Sequence, residues 1–223
     1  MYRKEQYVFL GNEPVKAIVR NYQKEDFSEL MRVQRESFPP PFRQDLLWSE
    51  EQLESHLATY PEGSFCVEIE GEVVGSITGM KINFDSNSVS HSWEEVTNQG
   101  YIVSHDPDGD TLYVVDICVR PAYRKLDVGK MLLHAMYERV VYEGMTRVLG
   151  GGRMPGYSQY AEQATPEEYV ERVVAGVWRD PVITFMLRCG RSPVAIVTNY
   201  LEDEASHNFG LLMEWRNPFI TTT

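Results

Sequence analysis

Two features of the sequence could do chemistry, and they adjoin. The run TLYVVDICV (Thr111–Val119) is continuously apolar from Leu112 to Val119 apart from one carboxylate, Asp116. It leads into VRPAYRKLDVGKMLL (Val119–Leu133), which gathers Arg120, Arg124, Lys125 and Lys130 around the single acid Asp127. A strand that ends in a basic turn and opens a helix is built for anions, because the first N–H groups of a helix are unpaired and its dipole is positive there. Arg124, Lys125 and Lys130 add charge-assisted contacts to a phosphate. Asp116 is a carboxylate in an apolar run, and burial raises the pKa of such a group toward the range of a general base. The same residue reads equally as a structural carboxylate that pairs with an arginine or caps backbone groups.

Further candidates lie outside this unit. His91, Glu94, Glu95 and His105 occupy a long polar segment, Asn83 to Asp110, and are rival bases or solvated loop residues. GGGRMPGYSQY (Gly150–Tyr160) follows a short strand, and its glycines permit close backbone approach. Arg153 and Tyr157 of that segment are candidate substrate contacts. HDPDGD lacks the glycine and glutamate positions of a calcium loop and reads as a turn. Cys118, on a buried strand, reads as inert packing.

These residues need a scaffold, and the periodicities supply one. KAIVRNY is a strand, followed by a helix with Phe27, Leu30, Met31 and Val33–Gln34 on its stripe and ended by Pro39–Phe42. Ser49 and Gln52 have the capping-box spacing of a second helix. SFCVEIEGEVVGSITGMKI alternates around a turn as a hairpin. Val128, Met131, Leu132, Ala135, Met136 and Val140 form a helical stripe, TRVLGGG is a strand, and Thr165, Pro166, Glu168 and Gly176 bracket another helix. DPVITFMLRCG is a last helix, and PVAIVTNYL and FGLLMEW are closing strands. The expected fold is α/β (α+β) with a mixed sheet, in one domain over 1–223. A net charge of −12 argues against nucleic acid as a partner and admits a cationic substrate. No apolar run approaches the roughly 18 residues of a membrane span, and MYRKEQYVFLGNEP lacks a secretory pattern. Three scattered cysteines suggest free thiols in a reducing cytoplasm.

VVDICVRPAYRKLDVGKMLL resembles the acyl-CoA signature of the GNAT N-acetyltransferase superfamily, an apolar strand followed by V-x-P-x-x-R/Q-x-x-G-x-G/A and a helix. Val119, Pro121, Arg124 and Gly129 match, while Asp127 stands at the first glycine position. HSWEEVTNQG, HDPDGDTLYVVD, GGRMPGY, EEYVERVVAG and DPVITFMLR resemble a bacterial subgroup that occurs alone or fused to nitrilase-type hydrolases. The resemblance implies a mostly antiparallel mixed sheet with helices on both faces, a core of about 17–215, and insertions at about 83–110 and 151–178. It implies an acetyl-CoA-dependent transfer to a primary amine of a small molecule by direct attack in a ternary complex. The pantetheine would run along Ile117, Cys118 and Val119, and the pyrophosphate would sit on Arg124, Lys125, Leu126, Asp127, Val128, Gly129 and Lys130. Met186 occupies the place of the family's tyrosine acid, and Arg191 that of a phenylalanine; Tyr157, Tyr160 and Tyr200 are candidate replacements for the acid. With Asp127, these departures leave a second reading open, a non-catalytic acyl-CoA-binding module. A homodimer is the default oligomer.

Overall fold

The computed structural model describes residues 1–84 and 90–220 of the chain. Eight strands form one sheet: β1 (Arg3–Leu10), β2 (Glu13–Asn21), β3 (Ser64–Ile69), β4 (Glu72–Ile82), β5 (Thr111–Val119), β6 (Arg147–Arg153), β7 (Ser192–Val197) and β8 (Gly210–Arg216). Their spatial order is β1-β2-β3-β4-β5-β6-β8-β7. Neighbours are antiparallel except β5 and β6, which are parallel because a helix connects them. The mixed, mostly antiparallel sheet is as expected from the sequence. The fold starts earlier than the expected core, however. RKEQYVFL forms an edge strand whose outward residues, among them Tyr7 and Phe9, are exposed, so its apolar pattern gave no clear burial signal.

The helices are α1 (Phe27–Ser37), α2 (Glu50–Thr59), α3 (Trp93–Thr97), α4 (Val128–Glu143), α5 (Pro166–Val174) and α6 (Pro181–Arg188). The capping boxes read from Ser49/Gln52 and Thr165/Glu168 both form, and each satisfies two backbone groups at its helix start. Asp180 caps α6 by accepting the Val182 and Ile183 N–H groups, and also accepts from Gly156 N and Tyr169 Oη. That one buried carboxylate ties Gly156 and Tyr169 to the start of α6. Residues 85–89, within the expected insertion at about 83–110, lie outside the described residues.

Two features of β5 position the site. It pairs with β6 only at Thr111, Leu112 and Tyr113, and the two strands then diverge into a V. Against β4, Asp116 faces Thr78 and Val114 faces Gly79, so Val115 is an extra residue, a bulge. Opposed residues of antiparallel strands share a face. Tyr113, Asp116 and Cys118 oppose Met80, Thr78 and Ser76 on one face, which α1 covers. Val114 and Ile117 oppose Gly79 and Ile77 on the other, which α4 covers. Without the bulge, Tyr113 and Asp116, an odd number apart, would face opposite ways.

Candidate active site

The V between β5 and β6 opens into a cleft of about 150 Å³, lined by Gln34, Trp48, Trp93, Val114 to Ile117, Gly150 to Arg153, Met186, Arg191 and Tyr200 among others. Two runs of sequence thus converge. β5 supplies the acid, and the glycines of β6 supply a wall without side chains. At Gly151 the absence of a side chain is required: a Cβ there would lie 2.2 Å from the Tyr200 ring.

Asp116 reaches this cleft on the α1 face. Gln34 Nε2 donates to its carboxylate at 2.8 Å, while Gln34 Oε1 accepts the Trp48 N–H at 3.1 Å, so both ends of the amide are fixed. Burial pushes the carboxyl up to about 6, against the Cys118, Gln34 and Ile117 hydrogen bonds that favour its charged form. Among the described residues no arginine pairs with it, but it does accept a backbone N–H, that of Ile117, so the backbone-capping half of the structural reading holds beside its place in the cleft; its partners are neutral. The bulge itself is held by Trp93, whose Nε1 donates to the Val115 carbonyl at 2.9 Å.

Other candidates separate. Tyr200 lines the cleft, and its hydroxyl meets Tyr113 Oη at 2.9 Å, which in turn meets His91 Nε2 at 3.1 Å. Burial pushes Tyr200 up to about 12. His91 therefore touches the site through two tyrosines. Glu95 closes the capping box of α3 with Ser92, Glu94 lies beside Arg43, and His105 accepts the Lys81 N–H and stacks on Tyr60. Arg153 lines the cleft, but its guanidinium is held by both oxygens of Asp203 at 2.9 and 2.6 Å and lies over the Phe42 ring. Tyr157 is directed away from the cleft; it donates to the Ala164 carbonyl inside an aromatic cluster with Tyr169, His207 and Phe209. HDPDGD is a turn in which Asp106 accepts the Asp108 N–H.

Beyond the cleft lies the basic turn. The first hydrogen bond of α4 runs from Met131 N to Asp127 O, so the N–H groups of Val128, Gly129 and Lys130 precede the helix's own ladder. Asp127 has φ 57°, the left-handed region that favours glycine and that aspartate tolerates. Its side chain is exposed and does not cap the helix, so it leaves those N–H groups free. Arg124 is spent elsewhere: it donates to the Val119 and Ser37 carbonyls at 3.1 Å each and fastens the turn to α1. Lys125 and Lys130 instead line a second cavity of about 460 Å³ with Tyr2, Lys4, Phe9 and His134. One expected contact is corrected. Arg120 N donates to Val74 O across β4, and the antiparallel alternation then turns the Cys118 peptide groups toward β4 as well. Ile117 and Val119 turn theirs to the edge left open by β6, and Arg124 already holds the Val119 carbonyl. Cys118 offers no backbone group to a ligand there.

The sequence marked Arg191 only as a departure from the family pattern and gave it no place in the site. It is 3% exposed, lines the cleft where β5 and β6 part, and stands against Met186.

Residues 27–152 match the family model described as the acetyltransferase (GNAT) family. The chain is 50% identical over 216 residues to "Uncharacterized N-acetyltransferase YkwB" of Bacillus subtilis, covering 97% of this chain and 96% of that protein. It is 38% identical over 203 residues to "Probable hydrolase YhcX" of the same organism, covering 91% of this chain but only 39% of that longer protein. Among solved structures, a GphF GNAT-like decarboxylase in complex with isobutyryl-CoA superposes with TM-score 0.76 at 24% identity, covering 89% of this chain and 98% of that one. The loading GNATL domain of CurA from Lyngbya majuscula gives 0.76 at 19%, covering 90% and 98%. At these identities the two structures speak to the fold alone. No helix among the described residues is long and apolar enough to cross a membrane.

Proposed function

The chain belongs to the acetyltransferase (GNAT) family and is an acyltransferase; from that premise we propose that it moves an acyl group, acetyl in the simplest case, from coenzyme A to the primary amine of a small molecule by direct attack in a ternary complex. The observation that carries this reading is the shared geometry of the V: a carboxyl with raised pKa on its wall and a helix start with free N–H groups and lysines beyond its mouth. The residues fit the group. The Val128, Gly129 and Lys130 N–H groups with Lys125 and Lys130 would hold the pyrophosphate. The Ile117 carbonyl and the Val119 N–H would pair with the pantetheine amides as an added strand does, the Ile117 N–H being held by Asp116. When bound, the thioester supplies the electrophilic carbonyl.

Proton accounting assigns roles to the side chains. A free alkylammonium, pKa ~10.4, lies ~4 units above the Asp116 carboxyl, a deficit of ~6 kcal/mol. The amine therefore attacks as its neutral fraction, the first proton having gone to solvent, and Asp116 takes the second proton once bonding to the carbonyl has made the nitrogen acidic. The departing thiolate, pKa ~8.5, is then ~2.5 units more basic than the protonated Asp116, a gain of ~3.4 kcal/mol. Tyr200, at about 12, is too weak an acid for that step and serves as a hydrogen-bond donor. A methionine at position 186 is compatible with this scheme, since one carboxyl both accepts and returns the proton. The setting is the cytoplasm, where the three buried free thiols stay reduced.

The test is acetyl-CoA turnover against a panel of amines, read by thiol release. Asp116→Asn is expected to lower kcat/KM by ~10²–10⁴, and the wild-type rate to rise with pH through an inflection near the value of about 6 set by burial. Tight coenzyme A binding with no turnover on any amine would count against the reading.

A further inference from the structure

Arginines on this protein's inward-facing surfaces are matched by acids. Arg20 is held by Asp26 and Glu68, Arg120 by Glu36 and Glu72, Arg147 by Glu214 and Arg153 by Asp203. Arg191, more buried than any of these, has no carboxylate within ion-pair distance among the described residues. One of its terminal nitrogens donates to the Met213 carbonyl, the other meets only the Met186 sulfur at 3.7 Å, and its Nε–H is buried with no partner. A guanidinium stays charged in proteins, and a buried charge without a counter-ion is costly. The position is also specific. A Cβ on Gly150 would meet Val114 and the Arg191 guanidinium, the latter at 3.4 Å, so the charge stands where β5 leaves β6 and lines the cleft.

The face on which it stands identifies the source of the missing anion. Val114 opposes Gly79, whose own Cβ would touch Met136 of α4, so Val114, Gly150 and Arg191 lie on the α4 face. Asp116 and Gln34 lie on the α1 face, and Tyr200 packs against Gly151, whose side-chain direction is opposite to that of Gly150. The α4 face also carries the N–H groups and lysines assigned above to the acyl donor. Arg191 thus approaches the cleft from the donor's side, about two strand residues deeper than Asp116, or ~6.6 Å along β5. We propose that Arg191 is a binding residue for a carboxylate at the far end of the donor's acyl chain, so that this protein takes a short dicarboxylic acyl-CoA in preference to a monocarboxylic one. The Nε–H is closed to solvent as the side chain stands; with a small shift of the guanidinium it and a terminal N–H would present a fork to such a group, as arginine does for carboxylates generally. The proposal rests on the acyl-CoA reading of the cleft and adds the class of acyl group.

Dissociation constants for malonyl-, succinyl- and glutaryl-CoA, set beside acetyl- and butyryl-CoA, test it on the full chain. Wild type is expected to bind at least one dicarboxylic thioester about tenfold or more tighter than its monocarboxylic counterpart, the scale of a charge-assisted hydrogen bond. Arg191→Met is expected to erase that ratio. Arg191→Lys, which keeps the charge and loses the fork, is expected to keep only part of it, and gives the answer should the methionine variant not fold. Equal affinity for the two classes in wild type, or a preference that survives in both variants, overturns the proposal. Binding of acetyl-CoA without discrimination overturns it while leaving the acyl-CoA reading intact; binding of no thioester at all removes both. In a parallel arm, acetyl transfer is compared between amines with and without a carboxylate. Discrimination that appears there instead, and is lost in Arg191→Met, assigns the anion to the acceptor and overturns the donor assignment.

Discussion

Asp116 is held under opposed demands of stability and chemistry. Its folded pKa, about 6, stands above the ordinary 3.8 because burial disfavours the charge, so the folded state binds a proton more tightly than the unfolded one. Such a group adds stability at low pH that is lost as pH rises through the folded value. The shift of about two units corresponds to ~3 kcal/mol of stability forgone at neutral pH. Asp116→Asn is therefore expected to raise stability by ~1–3 kcal/mol at pH 7.5, and by little at pH 4, while it abolishes most turnover; paired urea melts check this. His56 acts in the other sense. Burial pulls this fully enclosed imidazole down to about 4, so its contribution is complete above the unfolded value near 6.5 and is lost as pH falls toward 4. At the basic turn, Asp127 is exposed and strained only by its positive φ. Asp127→Gly removes one negative charge near the pyrophosphate position, and coenzyme A should bind about threefold tighter by calorimetry, from ~0.7 kcal/mol at 6 Å in water. An unchanged constant would place the phosphates elsewhere.

Among the elements, the bulged strand β5 decides the most. One extra residue, Val115, brings Tyr113 and Asp116 to the same face, and Trp93 of the short helix α3 fixes that residue's carbonyl. Trp93→Phe keeps an aromatic ring but leaves the carbonyl without its donor, which should cost ~1–3 kcal/mol in a denaturant titration. The turnover number should fall with it, since the face Asp116 presents depends on the bulge. A variant as stable and active as wild type would mean that the β4 pairing alone holds the bulge. The helix α6 has a comparable role on the opposite face, where Phe185 packs so close to Gly129 that a Cβ there would lie 2.8 Å from its ring. Thus Gly129, the one glycine of the turn, lets α6 close over the start of α4.

At the scale of the whole molecule, the sheet is extended by an edge strand, β1, that adds Val8 to the core. β1 pairs along its whole length with β2, and Tyr2 and Lys4 both reach Glu138 of α4. The same strand supplies Tyr2, Lys4 and Phe9 to the cavity that Lys125 and Lys130 line. Deleting residues 2–11 should lower the melting temperature and weaken coenzyme A several-fold, with less effect on a truncated pantetheine thioester that does not reach this cavity. Equal loss for both ligands would mean that the strand only stabilises the fold.

The sequence by itself determined the strand–turn–helix, the capped helices, the mixed sheet and the residue types at the basic turn. Each of these is local: a period, a cap or a turn is written in consecutive residues. It also singled out Asp116, as a charge inside an apolar run. Only the tertiary structure decided which groups share the cleft. The V depends on where β6 stops pairing with β5, and the shared face of Tyr113 and Asp116 depends on a bulge that no periodicity marks. Tyr157 and Tyr200 were indistinguishable as tyrosines until packing sent one into an aromatic cluster and the other to the cleft. Arg191, in sequence a departure from the family pattern, became a candidate site because burial without a partner is a property of three-dimensional surroundings.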